Sequence, residues 1–192
     1  GNLSRGDAYN GGDYNPSGYG DNFDKYFRYL YGGVARSNYV ITNVERMISE
    51  GANATVATLE RIIAESRTLR ALCYFRLISM WGDVPYYTFE VTSDDQVSSL
   101  PRIPIKDVKD SILADLAYAV DKLPNTSPLG RVAKPGALAL RGKVNLFWAS
   151  WNKYGWPELE GFTPSGAEAT AAFTAAAEDF GTVINDYGLD LY

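Results

Sequence analysis

Residues 13–24 carry a run of oxygen donors whose spacing suits a hard cation. Asp13, Asn15, Ser17, Asp21 and Asp24 fall at positions 1, 3, 5, 9 and 12 of an EF-hand-like loop, with Gly18 at the turn position 6. Three features depart from that pattern. Position 12 is Asp rather than the longer Glu, position 8 is Gly20 rather than an aliphatic residue, and Pro16 sits inside the loop with no helical pattern before it. Calcium is the one cofactor the sequence raises.

A second chemistry surrounds the same loop. Tyr9, Tyr14 and Tyr19 supply flat rings, while Arg5, Asp7, Asn10 and Asn22 supply planar polar groups. The CH-rich face of a sugar packs on an aromatic ring, and pairs of hydroxyls match amide, carboxylate and guanidinium edges. Trp156, next to Pro157 in a second aromatic loop, is expected to be exposed and joins the candidates. Trp81 and Trp151 read as core residues.

Catalytic chemistry has fewer footholds. There are no histidines and one cysteine, which removes the commonest general base and any disulfide framework. Asp94 with Asp95, and Glu158 with Glu160, are the pairs a glycosidase would need. Adjacent loop acids are ordinarily solvated. Glu60 and Glu65 stand at helical spacing from Arg61, Arg67 and Arg70, so ion pairing explains them. Cys73 falls on a helical stripe, as a small buried hydrophobe would. A formal net charge of −5 gives no basic footprint, so a nucleic-acid partner is not indicated. No run of about 18 apolar residues is present, the length a membrane helix needs.

The elements that must position these residues are helical. Residues 1–25 show no period and read as an irregular loop. A first helix runs from about Asp24 to Ser49, weakened or bent at Gly32–Gly33. The central helix starts near Thr55 and stops at Gly82, with Pro85 just beyond. Leu59, Ile62, Ile63, Leu69, Cys73, Leu77 and Met80 mark its apolar stripe, interrupted by Ser66. After an aromatic connector, a third helix spans about Lys106 to Leu123 and Pro124 ends it. A fourth begins at Lys134–Pro135. A fifth, rich in alanine, spans about Ala167 to Asp186. The first four helices make two antiparallel hairpins, 26–81 and 105–152, and the fifth, 167–187, is left unpaired. The expected fold is all-α, a tetratricopeptide-like right-handed stack of helical hairpins with long aromatic loops, without the literal 34-residue consensus.

The central helix also carries a resemblance. Glu65, Ser66, Arg67, Leu69, Arg70, Ala71, Tyr74, Phe75 and Leu77, then Gly82-Asp83-Val84-Pro85, resemble the signature helix of the SusD/RagB family, departing mildly at Ser66 and Trp81. Phe27, Tyr31, Val34 and Asn38 are similar to that family's W-x-x-x-Y-x-x-I-x-x-x-N, with Phe27 replacing Trp. Asp115-Leu116, Ala119 and Leu123-Pro124 resemble its D-L-x-x-A-x-x-x-L-P, and Ala137, Leu140 and Phe147-Trp148 a further family helix.

The resemblance covers about residues 27–192 and implies an N-terminal half, with the C-terminal half outside this chain. It implies a cell-surface lipoprotein of Bacteroidetes at the outer membrane, whose lipidated start is removed or lies upstream. Its function would be to bind oligosaccharide and pass it to a SusC-type TonB-dependent transporter, which it caps, with no chemistry performed. In the family, the segment just before the first motif helix contributes to the glycan surface. Two alternatives stand beside this reading: a protein-binding lid or scaffold without sugar binding, and a glycoside hydrolase.

Overall fold

The computed structural model describes residues 20–157, 159 and 161–188, with side chains described from residue 25 onward. Among the described residues, six helices carry the chain: α1 (Gly20–Ser49), α2 (Val56–Trp81), α3 (Asp95–Ser98), α4 (Ile105–Lys122), α5 (Lys134–Tyr154) and α6 (Gly166–Asp186). Two short strands, β1 (Val84–Pro85) and β2 (Arg102–Ile103), pair antiparallel with Val84 opposite Ile103. The fold is all-α, and the long helices pack in chain order, α1 on α2, α2 on α4, α4 on α5 and α5 on α6.

Local chemistry sets the helix ends. The hydroxyl of Thr55 caps α2 by accepting from the Thr58 amide at 3.3 Å. Gly82 ends the helix at φ 66°, a conformation that suits a residue without Cβ. Pro135 occupies the first turn of α5, where a missing N–H costs nothing. The α1 helix begins four residues before the expected Asp24 and runs unbroken through Gly32–Gly33. Gly33 there serves close approach: a Cβ on it would lie 2.6 Å from the Cys73 sulfur.

The stripe expected on α2 is corrected. Leu59, Ile63 and Leu77 are buried, but Leu69 is 50% exposed and Met80 39%. The buried set instead includes Ser66, Thr68 and Arg70. The physical reason is that α2 lies between α1 and α4 and buries two sides rather than one. The main core gathers Val34, Tyr74, Leu77, Ile78, Val84, Val108, Ile112, Leu116 and Val144, all at most 1% exposed. Burying each such aliphatic side chain stabilises the fold by roughly 1.5–3 kcal/mol.

The last helix is not left without a neighbour. α6 lies along α5, where the Arg141 guanidinium donates twice to Asp179, at 2.9 and 2.6 Å. Phe180 fits over Gly142, whose hypothetical Cβ would meet the ring at 2.9–3.1 Å. Ala169, Ala172 and Ala176 complete a buried face of small residues. The exposure expected for Trp156 is corrected as well. Gly155, at φ 83°, turns the chain after α5, and the Trp156 ring stacks on Trp151 with centroids 4.1 Å apart and planes 15° apart. Phe147 and Phe162 contact it edge-on, and it is half-buried.

Candidate functional site

The connector after α2 is held by side chains rather than by regular structure. The Tyr31 hydroxyl donates to the Pro85 carbonyl at 2.7 Å. The Tyr74 hydroxyl accepts from the Tyr87 amide and donates to the Tyr87 carbonyl, both at 2.9 Å. The Asn38 amide nitrogen donates to the same carbonyl at 3.2 Å. Behind Asn38, Arg70 donates to its side-chain oxygen at 2.7 Å and, through two other nitrogens, to both oxygens of Asp115 at 2.8 and 2.7 Å. Burial opposes the Arg70 charge, but the hydrogen bonds and charge of Asp115 outweigh it, so the guanidinium pKa is raised. Burial also pushes the Tyr31 and Tyr74 hydroxyls well above their ordinary range, so both stay protonated donors.

In front of this network lies an aromatic pocket. A cavity of about 270 Å³ is lined by Phe27, Arg28, Tyr31, Pro85, Tyr87, Val97 and Leu100. The Tyr31 and Tyr87 rings lie 6.2 Å apart and nearly parallel, at 7°. Phe27 packs on Tyr31 and meets Trp81 edge-on, with centroids at 4.7 and 5.1 Å. The pocket therefore opens beside α1 from Phe27 to Tyr31, roughly two turns past the helix start at Gly20. A cavity lined by rings from two sides, with Arg28 among its lining residues, can take a ligand that has apolar faces and polar edges.

Most of the residues singled out from the sequence are not reached. Arg5, Asp7, Asn10, Asp13, Tyr14, Asn15, Ser17 and Tyr19 lie outside the described residues, and so do Glu158 and Glu160. Asp21, Asn22 and Asp24 fall on the first turns of α1, described as backbone. Among the described residues, no three metal-ligating side chains converge, and the calcium loop stands outside that statement. Asp94 and Asp95 are exposed at the start of α3. Trp156 belongs to the α5 aromatic cluster, and none of its ring partners lines the pocket. The pocket itself and the Asn38–Arg70–Asp115 network went unremarked in the sequence. Their signal lay in the motifs, since Tyr31 and Asn38, Arg70, and Asp115 stand in three separate ones.

Residues 4–146 match a SusD-like family described as starch-binding and associating with the outer membrane. The chain belongs to the SusD-like family. A SusD-like protein of Bacteroides ovatus is 32% identical over 129 residues, which is 66% of this chain and 22% of that protein. A structure solved with a xylogluco-oligosaccharide superposes with TM-score 0.69 at 29% identity, over 94% of this chain and 31% of the other. A laminarin-binding SusD-like protein gives 0.65 at 27% identity, over 87% and 32%. The chain thus spans between a fifth and a third of the length of these relatives.

Proposed function

We propose that this chain is the N-terminal part of a surface protein that captures oligosaccharides and performs no chemistry on them. The observation that carries the reading is the pocket of Phe27, Tyr31 and Tyr87, in which the two tyrosine rings lie nearly parallel, at 7°. Stacked rings take the CH face of a pyranose, and Arg5, Asp7, Asn10 and Asn22 would pair with its hydroxyls. Tyr14 and Tyr19 would add further platforms. Ligand sites ordinarily run to about 300–1,000 Å³. At about 270 Å³ the pocket fits a small part of a glycan, with the remainder held by other parts of the full-length protein. Trp156 has one ring face covered by Trp151 and is a weaker platform than the sequence implied.

The ligand class is supported by two relatives, one solved with a xylogluco-oligosaccharide and one described as laminarin-binding. Both are neutral glycans, and a net charge of −5 favours a neutral ligand over an acidic one. The full-length protein would sit at the outer-membrane surface through a lipid anchor and pass its sugar to a SusC-type transporter. Calcium held by Asp13, Asn15, Ser17, Asp21 and Asp24 would order the binding segment.

Replacing Tyr14 and Tyr19 together by Ala tests the reading. Loss of two stacking faces should weaken glycan binding by about five-fold or more, at about 0.5–1.5 kcal/mol per ring contact. Helix content by circular dichroism should not change. Unaltered affinity would remove the segment from the site.

A further inference from the structure

We propose that Asn38, Arg70 and Asp115 form a positioning relay that sets the wall of the aromatic pocket by fixing the main chain of Tyr87. The relay's ligand rests on the glycan-capture reading, whereas its geometry does not.

The direction of each hydrogen bond follows from which groups can only donate. Asp115 engages Arg70 through Nε and Nη2, which leaves Nη1 directed at Asn38. A guanidinium has no acceptor, so it must face the Asn38 oxygen. The Asn38 nitrogen is thereby turned toward the Tyr87 carbonyl, at 3.2 Å. Asn38 is fully buried and Arg70 is 4% exposed, so water cannot substitute for either partner.

The second hold on Tyr87 is the Tyr74 hydroxyl. It has one proton, which goes to the Tyr87 carbonyl, and an oxygen that accepts from the Tyr87 amide. Both main-chain groups of Tyr87 are thus committed to side chains of α1 and α2. The β1 pairing ends at Pro85, two residues earlier, so no strand ladder does this work. Displacement of Tyr87 would move its ring away from Tyr31, and Tyr31 in turn holds Pro85. The relay therefore fixes the Tyr87 side of the pocket, while Tyr31 fixes Pro85.

Asn38→Asp separates positioning from packing. It is nearly isosteric and keeps an acceptor for Arg70, but it presents an oxygen to the Tyr87 carbonyl where a donor stood. Tyr74→Phe removes only the hydroxyl. Both variants are made in the full-length protein and titrated with xylogluco-oligosaccharide and with laminari-oligosaccharide by calorimetry. Amide exchange of residues 86–88 and the guanidinium midpoint are followed in parallel.

The relay predicts a Kd about ten-fold weaker and exchange at Tyr87 about ten-fold faster in Asn38→Asp, the effect of losing one hydrogen bond, and larger changes in Tyr74→Phe, which loses both bonds to Tyr87. Amides of α1 and α2 should exchange as in the wild type. A purely structural role would lower the midpoint and leave Kd unmoved in buffer. Affinities within two-fold of wild type, or unchanged exchange at Tyr87, would overturn the proposal. If the wild type binds neither oligosaccharide, it is the capture reading that fails, and exchange alone then decides whether the relay holds Tyr87.

Discussion

At the residue scale, the least replaceable contact is the ion pair between Arg70 and Asp115. Their side chains are 5% and 7% exposed, and a bidentate geometry joins them at 2.7–2.8 Å. Removing one partner of such a pair strands the other charge, typically at about 3–5 kcal/mol. Asp115→Ala should therefore lower stability by that amount in denaturant titration, while Asp121→Ala, on the exposed side of α4 beside a Lys122 that also pairs with Glu60, should cost under about 1 kcal/mol. Equal effects from the two would contradict the buried-pair account. Each member of the network was legible as a motif position. Their meeting was not, because Arg70 lies 32 residues from Asn38 and 45 from Asp115. Nothing in local spacing reports a contact across three helices. Trp156 shows the opposite limit. A ring beside a proline reads as surface, yet the turn at Gly155 lays it on Trp151.

At the element scale, caps and stops were readable because they act within one turn. Thr55, Gly82 and Pro135 mark helix ends by local hydrogen bonding and backbone preference alone. Which side chains are buried depends on neighbours, and there periodicity fell short. Leu69 and Met80 sit on the apolar stripe of α2 yet face outward, because α1 and α4 cover two other sides. The packing of α6 on α5 turned on a single missing Cβ at Gly142. Gly142→Ala should force the Phe180 ring aside, and the overpacking cost of about 1–3 kcal/mol, less the roughly 1 kcal/mol that Ala gains over Gly inside a helix, should leave a net loss of up to about 2 kcal/mol. Combining it with Phe180→Leu should recover part of that loss. A Gly142→Ala protein more stable than wild type would mean that the two helices do not meet as closely as described.

At the scale of the whole molecule, the helices form a frame, and the pocket belongs to one end of it. The stacked helices place α1, α2 and the connector together, so that rings from α1 and the connector, with Val97 and Leu100, line one cavity. The family and the all-α fold were legible because motifs repeat along most of the chain. The ligand was not, since residues 1–19 carry composition without a fixed register, and stacking tolerates many sugars. An acidic chain that binds neutral glycans by rings and hydroxyl pairing should depend little on salt, unlike one that recruits a charged polymer. Affinity electrophoresis of the full-length protein against xyloglucan, laminarin, starch and an acidic polysaccharide, with calcium or with a chelator, tests this most directly. The account predicts retardation by at least one neutral glycan, persisting in 0.5 M salt at roughly the same strength, and weakened by the chelator. Migration unaffected by every glycan would contradict glycan capture as the role of this protein.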